Sequence, residues 1–401
     1  MNNPIHKKKI LLIQWSGSNY DSLRHLQDLL GTQFQTLGFE IEKLALNDPQ
    51  FIDILINFLQ SKEIYFAMGF SGVGVDVYDS NKQLIWEAFK TPFFNWCCDH
   101  PCYFPARHQL SSPWVIHGFV FPDHARYSND FFNANGITFQ AHLGAPVKKP
   151  AAQMNVALKN RNNKIIYAKS GTDIDAIEKK WLTMPESIRK ILFSAKEELQ
   201  YQSTENAFEV IKRLADEENI FLSPNNAFAL NIIREIDIYI RGWRANLAIK
   251  SLLNYPVDVY GNGWDHMNVS QSKGATFHGA LDLASLLNIF PNYLGCLSIN
   301  PFIEDSVHDR VFYALAENVV PLSDQNRFSI THLPLLQKYS FKFNQESIIS
   351  SVEQLLENPS NALELTHSTQ VKLEEKFSLD SSAKKIIEFV SHMKFNFKRF
   401  E

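Results

Sequence analysis

The sequence predicts an α/β protein built from two doubly wound, parallel sheets, and three observations support this. Short apolar runs alternate with amphipathic segments in both halves of the chain, as strands alternate with helices in such sheets. A proline-bearing, then polar and basic segment, residues 144–163, has the composition of a linker between the halves. The 401 residues also exceed one ordinary core, so two domains are expected.

The first half begins with an apolar run, Lys8 to Trp15, followed by the small residues Ser16, Gly17 and Ser18 and a helical pattern. A second small-residue turn, Ser71 to Gly74, follows a later apolar run. We predict strands at residues 8–15, 39–46, 64–70, 92–98, 114–121 and 136–142, and helices at residues 21–37 and 51–59. Ligands bind at the carboxyl ends of such strands, which is where Ser16, Gly72, Asp99 and His100 would lie.

The second half begins with a strand that ends at Lys169 and Ser170. A long helical stretch, residues 175–253, follows and is broken at Pro224 and Asn225. We predict further strands at residues 257–260, 275–277 and 296–300 and from Val319, and helices at residues 282–290, 345–357 and 382–393. The predicted domains are residues 1–150 and 151–380, with a C-terminal helix at 381–401 that could return to the first domain.

Residues 295–324 are the most informative segment, because a helix that opens at Ser306 would carry His308, Asp309 and Arg310 in its first turn. Unpaired amide groups and the helix dipole attract anions at such a position. Ser306 and Asp309 also fit a capping box, so Asp309 is either structural or ligand-binding. His308 is either a proton donor to a leaving phosphate or an exposed residue.

Arg310 would be repelled by the dipole at a helix start, and a bound diphosphate would reverse that effect. Its alternative role is a salt bridge to Glu304 or Asp305. Lys169 is either a diphosphate ligand or a solvated loop lysine. We expect His117, His124 and His142 to be ordinary core or surface histidines.

Composition narrows the possible functions. The net charge of −4 gives no general attraction to nucleic acid, and no apolar run approaches a membrane span or a signal segment, so a cytoplasmic location is expected. Cys97, Cys98, His100 and Cys102 are spaced too tightly for an ordinary zinc site, so we expect free thiols and no metal. The basic and aromatic end, residues 393–400, could touch an anionic membrane or pack on the first half.

Residues 257–324 resemble the nucleotide-sugar domain of GT-B glycosyltransferases, especially the spore-maturation CgeB-like group. Val-Tyr-Gly-Asn-Gly-Trp, Phe-His-Gly, Leu-Ser-Ile-Asn-Pro, Arg-Val-Phe-Tyr-Ala-Leu-Ala and Val-Val-Pro-Leu-Ser-Asp occur in that family's order. Residues 95–101, Asn-Trp-Cys-Cys-Asp-His-Pro, resemble its Trp-x-x-Asp-x-Pro segment. The resemblance implies two Rossmann-like, doubly wound domains facing each other across a cleft.

It also implies transfer of a sugar from a nucleotide-diphosphate donor to a glycan, lipid-linked or protein acceptor, without a cofactor. Asp99 matches the family's aspartate and is the expected base, with His100 as an extra titratable group. Ser16, Gly17 and Gly72 would line the acceptor side. The expected donor residues are Lys169, Ser170, Gly261, Asn262, Gly263, Asn300, Asp305, Ser306, His308, Asp309 and Arg310. We expect no metal requirement, although one Asp-x-Asp pair occurs, at Asp173 and Asp175.

The chain departs from the family at Tyr313, where a glutamate usually binds the ribose hydroxyls. Asp305 or Asp309 could substitute for that carboxylate. Asn318 can adopt the left-handed conformation that glycine provides at a helix end. Two alternatives therefore stay open: a nucleotide-sugar epimerase on the same fold, and a GT-B-like binding protein without catalysis.

Overall fold

The computed structural model describes residues 8–15, 17, 19–132, 137–145, 160–201, 207–223 and 226–397. These residues form two compact units. One extends to Gly144 and resumes at Phe377, and the other spans Ala145 to Lys376. Ser16, most of the predicted linker, Pro224, Asn225 and residues 398–401 lie outside the described residues. No helix in the described part is long and apolar enough to cross a membrane.

The first unit contains a parallel sheet in the order β2-β1-β3-β4-β5-β6. Its strands are β1 (Lys9–Gln14), β2 (Glu40–Ala45), β3 (Ile64–Phe70), β4 (Phe93–Cys97), β5 (Val115–Phe119) and β6 (Ile137–Gln140). The central strands β3, β4 and β5 are buried along their whole length, because a parallel sheet is covered on both faces. The edge strands β2 and β6 are only partly buried.

The helices of this unit follow the strands in the alternation that the sequence predicts. Their bounds are Ser22–Thr36, Phe51–Gln60, Ile85–Ala88, Pro105–His108, Pro122–Phe132 and, from the end of the chain, Leu379–Phe397. The last helix packs on Ser22–Thr36, and Lys394 donates a hydrogen bond to the Tyr65 carbonyl at 2.9 Å. The C-terminal helix therefore belongs to the first unit.

The second unit contains a parallel sheet in the order β11-β10-β7-β8-β9. Its strands are β7 (Asn162–Ala168), β8 (Val257–Tyr260), β9 (Thr276–His278), β10 (Tyr293–Ser298) and β11 (Val320–Ser323). The predicted helical stretch consists of Ile174–Trp181, Glu186–Leu199, Ala207–Glu217 and Ala227–Leu252. The later helices are Leu283–Ile289, Asp309–Ala316, Arg327–His332, Gln345–Glu357 and Pro359–Phe377.

Two predicted boundaries in the most informative segment are wrong. Strand β10 ends at Ser298 rather than Asn300, and the next helix begins at Asp309 rather than Ser306. Asn300 has left the strand because its own amide donates to Oδ1 of Asp324 at 2.8 Å, which turns the chain away from the sheet. The helix Pro359–Phe377 was not predicted at all.

The strand orders locate the switch points of both sheets. In the first unit, the chain goes from β1 to β2 on one side and then to β3 on the other. In the second, β8 and β9 lie on one side of β7, and β10 and β11 lie on the other. Connections leave a switch point in opposite directions and open a crevice at the carboxyl ends of its strands. The crevice of the second sheet therefore lies where β7 and β10 end.

Candidate functional site

The connections after β7 and β8 are joined through their backbones. The amide of Lys169 donates to the Tyr260 carbonyl at 2.9 Å, and the amide of Gly171 donates to the Asn262 carbonyl at 2.8 Å. A Cβ atom at Gly261 would lie 2.2 Å from the Lys169 carbonyl oxygen. Gly261 is therefore required by contact between the two loops, and the space beside it is filled by protein.

The other predicted residues of these loops lie at the same edge of the sheet. Gly263 has a φ of 79°, in the left-handed region, and its carbonyl oxygen would lie 2.3 Å from a Cβ at Gly171. Asn262 accepts a hydrogen bond from the Ala280 amide through Oδ1 at 3.3 Å. Ser170 follows Lys169 directly and is half-buried. The structure thus brings these predicted donor residues together beside Lys169.

The predicted capping box of Ser306 and Asp309 is wrong. The N-cap of the helix Asp309–Ala316 is His308, whose carbonyl accepts the Val311 amide at 2.9 Å. Ser306 is buried, and its carbonyl accepts from Nδ2 of Asn326 at 2.7 Å, so Ser306 belongs to the loop before the helix. His308, Asp309 and Arg310 still occupy the helix start, as the sequence predicts.

The imidazole of His308 lies between Asp309 and Arg310. Its Nε2 is 3.2 Å from Nη1 of Arg310, and its Nδ1 faces both the Arg310 amide, at 3.4 Å, and the Asp309 carboxylate. A guanidinium can only donate, so Nε2 is the acceptor in its contact with Arg310. Burial lowers the pKa of His308 to about 4. His308 is therefore neutral near pH 7 and orients Arg310, which does not favour the proton-donor role.

Asp309 is engaged by the same neighbours. Burial raises the pKa of its carboxyl, but His308 and Arg310 outweigh that effect and lower the pKa to about 2. Asp305 forms an ion pair with Arg327. The carboxylates of Asp305 and Asp309 therefore both have partners within the protein, which does not favour ribose binding by either.

Lys169 is part of a cluster of cations at the switch point. Burial, Arg241 and Arg310 together lower the pKa of its ammonium group to about 7, while Asp237 raises it. Arg241 comes from the long helix Ala227–Leu252 and lies 3.3 Å from Oδ2 of Asp237 through Nη1. We call Lys169, Arg241 and Arg310 the cation cluster. The three positive charges repel one another where water is partly excluded. A bound anion would relieve this repulsion.

Arg241 is the residue of this site that the sequence did not reveal. A close approach of the long helix to the loop after β7 brings it into place, since a Cβ at Gly242 would lie 2.8 Å from Cβ of Thr172. Asn246, one turn further on, donates to the Thr172 carbonyl at 3.0 Å. The available signal was the sequence Arg241-Gly242-Trp243-Arg244, which places a glycine between arginines inside a long helix.

The end of the helix Asp309–Ala316 contains the departures from the expected pattern. Tyr313 is 2% exposed, and its ring belongs to the core. Asn318 has a φ of 52°, which confirms the predicted left-handed conformation at the helix end. The helix end is thus preserved, whereas a carboxylate at position 313 is replaced by a buried phenol.

In the first unit, Asp99 lies on the exposed loop after β4 and accepts a hydrogen bond from Oγ of Ser71 at 2.9 Å. His100 accepts the Cys102 amide through Nδ1 at 3.2 Å, and its ring centroid is 4.4 Å from that of Tyr127. His100 is therefore used to cap a turn. Asp99 is the more accessible of the two candidates for acid–base chemistry.

The space beside two glycines predicted to line the acceptor side is also occupied by protein side chains. A Cβ at Gly72 would lie 2.2 Å from Cδ of Arg107, which donates to the Ser71 carbonyl at 2.8 Å through Nη1. A Cβ at Gly17 would lie 2.6 Å from Nε1 of Trp15. Arg107 therefore lies directly against Gly72, and the assignment of Gly72 to the acceptor side stays a prediction.

No protein-family profile matches this chain, and no curated protein matches it in sequence. Sucrose-phosphate synthase from Thermosynechococcus elongatus is similar in structure, with a TM-score of 0.54 and 9% identity over 97% of this chain and 100% of the synthase. The DNA-modifying enzyme β-glucosyltransferase, studied with and without uridine diphosphoglucose, has a TM-score of 0.50 and 12% identity over 96% of this chain and 99% of its own. An α-glucosyltransferase in complex with UDP and DNA has a TM-score of 0.52 and 8% identity over 96% and 99%. The chain has the GT-B fold.

In this GT-B fold, the remaining predicted residues are structural. His117 and His124 are buried, as expected, and His142 lies edge-on to Phe377 with ring centroids 5.0 Å apart. Among the described residues, the four cysteines form no disulfide. Within the described ranges, no three histidine, cysteine or carboxylate side chains converge as metal ligands would. The narrower resemblance to the CgeB-like group stays a prediction.

Proposed function

We propose that this GT-B protein transfers a sugar from a nucleoside diphosphate donor to an acceptor hydroxyl. The observation that carries the proposal is the cation cluster at the β7–β10 switch point. A departing nucleoside diphosphate accumulates negative charge on its phosphates, and fixed cations at that place stabilise the charge without reorganising. Two structurally similar glucosyltransferases are described with UDP or uridine diphosphoglucose, which makes a uridine nucleotide the first donor to try.

The proposed donor site is metal-independent and needs no cofactor. Lys169, Arg241 and Arg310 would supply the positive charge that other sugar transferases obtain from a divalent ion. His308 would hold Arg310 through Nε2, at 3.2 Å. The loops at Ser170 and at Gly261 to Gly263 lie beside the cluster and would contact the rest of the nucleotide.

Asp99 is the proposed base, since its exposed carboxylate is oriented by Ser71 and could accept the proton of an acceptor hydroxyl. The acceptor would be a glycan, a lipid-linked sugar or a protein. The net charge of −4 argues against a nucleic-acid acceptor, although the similar β-glucosyltransferase modifies DNA. We propose a cytoplasmic enzyme, with peripheral membrane contact if the acceptor is lipid-linked.

One observation favours a second candidate, a GT-B-like protein that binds a nucleotide sugar without turning it over. Tyr313 is buried where a ribose-binding carboxylate is expected, Asp305 is paired with Arg327, and Asp309 contacts the imidazole of His308. A nucleotide-sugar epimerase is the other enzyme that this fold allows.

Product analysis after incubation with a panel of nucleotide sugars separates the three candidates. A transferase hydrolyses or transfers the sugar, an epimerase yields a sugar isomer, and a binding protein is stabilised against heat without turnover. We expect slow hydrolysis of one donor, unchanged in EDTA. Loss of that activity in EDTA would contradict the proposed leaving-group site, and a new sugar isomer would contradict transfer.

A further inference from the structure

The segment between β10 and the helix Asp309–Ala316, residues 299–308, has no regular structure although much of it is buried. Ile303, Ser306 and Val307 are each no more than 2% exposed. Buried carbonyl groups in such a loop need partners, because they have neither a ladder nor water to bond with. We call residues 299–308 the cluster loop, since it leads directly into His308 and Arg310.

Asn326 supplies two of those partners from a different part of the chain. Its Nδ2 donates to the Ile303 carbonyl at 3.0 Å and to the Ser306 carbonyl at 2.7 Å. Its Oδ1 accepts the Ser329 amide at 2.9 Å and so caps the helix Arg327–His332. Asn326 is 1% exposed, so water cannot readily replace these bonds. One side chain thus joins the cluster loop to the next helix.

Asn300 holds the two ends of the same loop together. Its Oδ1 accepts the His308 amide at 2.7 Å, and its Nδ2 donates to Oγ of Ser323 at 3.1 Å. The backbone of Asn300 is held by Asp324, whose carboxylate is buried. Asn300 was predicted to bind the donor, but in the structure its side chain is used within the protein.

A buried arginine completes the packing around the loop. The guanidinium of Arg244 lies 4.6 Å from the ring centroid of Phe302 and 4.2 Å from that of Phe343. Phe302 belongs to the cluster loop, so Arg244 presses the loop from the side of the long helix Ala227–Leu252. The loop is therefore fixed by hydrogen bonds from one direction and by a stacked cation from another.

We infer that Asn326 is a positioning residue for the diphosphate site, because its two donated bonds fix the loop that places His308 and Arg310 opposite Lys169. The inference rests on the proposed function. Asn326 itself does not contact the diphosphate. It sets the direction from which the guanidinium of Arg310 approaches the diphosphate. Without those bonds, the apolar side chains of the loop would stay buried, but its backbone would no longer have one fixed conformation at the helix start.

The test compares two caps in the same unit. Asn326→Ser keeps an oxygen that can cap the helix and removes both donations to the cluster loop. Asn344→Ser is the matched control, since Asn344 caps the helix Gln345–Glu357 by accepting the Ser347 amide at 2.9 Å. Inorganic pyrophosphate, titrated by calorimetry, probes the cation cluster without involving a base or a sugar.

We expect Asn326→Ser to weaken pyrophosphate binding at least tenfold and Asn344→Ser to leave it unchanged. Positioning also predicts coupling: Arg310→Ala should cost several-fold less affinity in the Asn326→Ser background than in the wild type. Purely structural damage would lower the melting temperature and leave the effect of Arg310→Ala undiminished, which would overturn the inference. So would wild-type affinity in the folded Asn326→Ser protein.

If Asn326→Ser does not fold, Asn326→Asp replaces it. This variant keeps the side-chain volume and the capping oxygen and removes the same two donated bonds. Its pyrophosphate affinity and its coupling to Arg310→Ala are judged in the same way. The two proposals fail differently. Wild-type protein that does not bind pyrophosphate contradicts the proposed diphosphate site, and with it the positioning role. Wild-type binding that depends on Arg310 but not on Asn326 contradicts the positioning role alone.

Discussion

The carboxyl edges of the two sheets have similar topology and different chemistry. In the second unit, burial together with the neighbouring Arg241 and Arg310 lowers the pKa of Lys169 to about 7. In the first unit, Arg107 donates to the Ser71 carbonyl at 2.8 Å and lies 3.9 Å from the Asp76 carboxylate. Both edges pair an arginine with a carboxylate, since Arg241 lies 3.3 Å from Asp237, but the edge of the second unit carries three neighbouring cations.

The difference shows how one architecture can serve two kinds of ligand. An edge with concentrated positive charge favours an anion wherever the backbone exposes it. Under the proposed function, the edge with the exposed carboxylate of Asp99 receives the neutral, hydroxyl-bearing acceptor. The fold alone assigns neither role, and the side chains at the switch points make the distinction.

We expect the largest effect from removing the proposed base at the edge of the first sheet. Asp99→Asn keeps an oxygen for the Ser71 hydroxyl and removes the basic carboxylate, so we expect kcat to fall by about 10²- to 10⁴-fold. UDP affinity should stay within twofold of wild type, because Asp99 lies in the other unit from the cation cluster. Steady-state kinetics and calorimetry on the same preparation check both halves. A full loss of UDP binding would show that the two edges are not independent.

The next largest effect is expected when one guanidinium is removed from each edge in turn. Arg310→Ala removes a charge-assisted contact to the diphosphate, which is worth about 2 to 3 kcal/mol, or roughly 30- to 150-fold in UDP affinity. The control is Arg107→Ala, which removes the corresponding guanidinium from the first unit and should leave UDP affinity unchanged. Equal losses in the two variants, measured by calorimetry, would remove the basis of the comparison.

The smallest effect concerns pH. Burial and its cationic neighbours lower the pKa of Lys169 to about 7, so the free protein loses this charge as pH rises through neutrality, whereas a bound diphosphate keeps it protonated. Binding must then take up a proton, and pyrophosphate affinity should fall by about tenfold from pH 6 to pH 8 through this group.

Lys169→Arg, which stays charged, provides the control for that pH dependence. The titration of pyrophosphate itself affects both proteins equally, so the ratio of their affinities isolates Lys169. This ratio should change by about tenfold across the interval. A ratio that does not vary with pH would place Lys169 outside the diphosphate site.

Much of the fold was predictable because the apolar runs are buried strands. The predicted bounds of Ile64–Phe70, Val257–Tyr260 and Gln345–Glu357 agree with the structure. The helix Pro359–Phe377 was missed because it has no strong apolar stripe, although Asn358, which accepts the Asn361 amide at 3.2 Å, and Pro359 mark its start. The start at Ser306 was wrong because a local capping pattern was outweighed by contacts from Asn300 and Asn326, which are distant in sequence.

The position of a candidate site residue was predictable where that residue directly follows a strand or opens a helix. Lys169 and Arg310 meet that condition, and the structure brings them together. Arg241 lies in the middle of a helix, and only the packing of Gly242 against Thr172 places it there. Near Gly72, the sequence did not reveal that Arg107, which is distant in sequence, packs against the glycine.

The order of strands in the second sheet also has a consequence for folding. Strand β7 pairs on one side with β8 and on the other with β10, so that Ile165 lies opposite both Val257 and Gly295. The three cations are contributed by the start, the middle and the late part of this unit. Their repulsion is thus avoided until pairings of high sequence separation have formed, and such pairings are slow. The ability to capture an anion should appear only in the last stage of folding of the second unit.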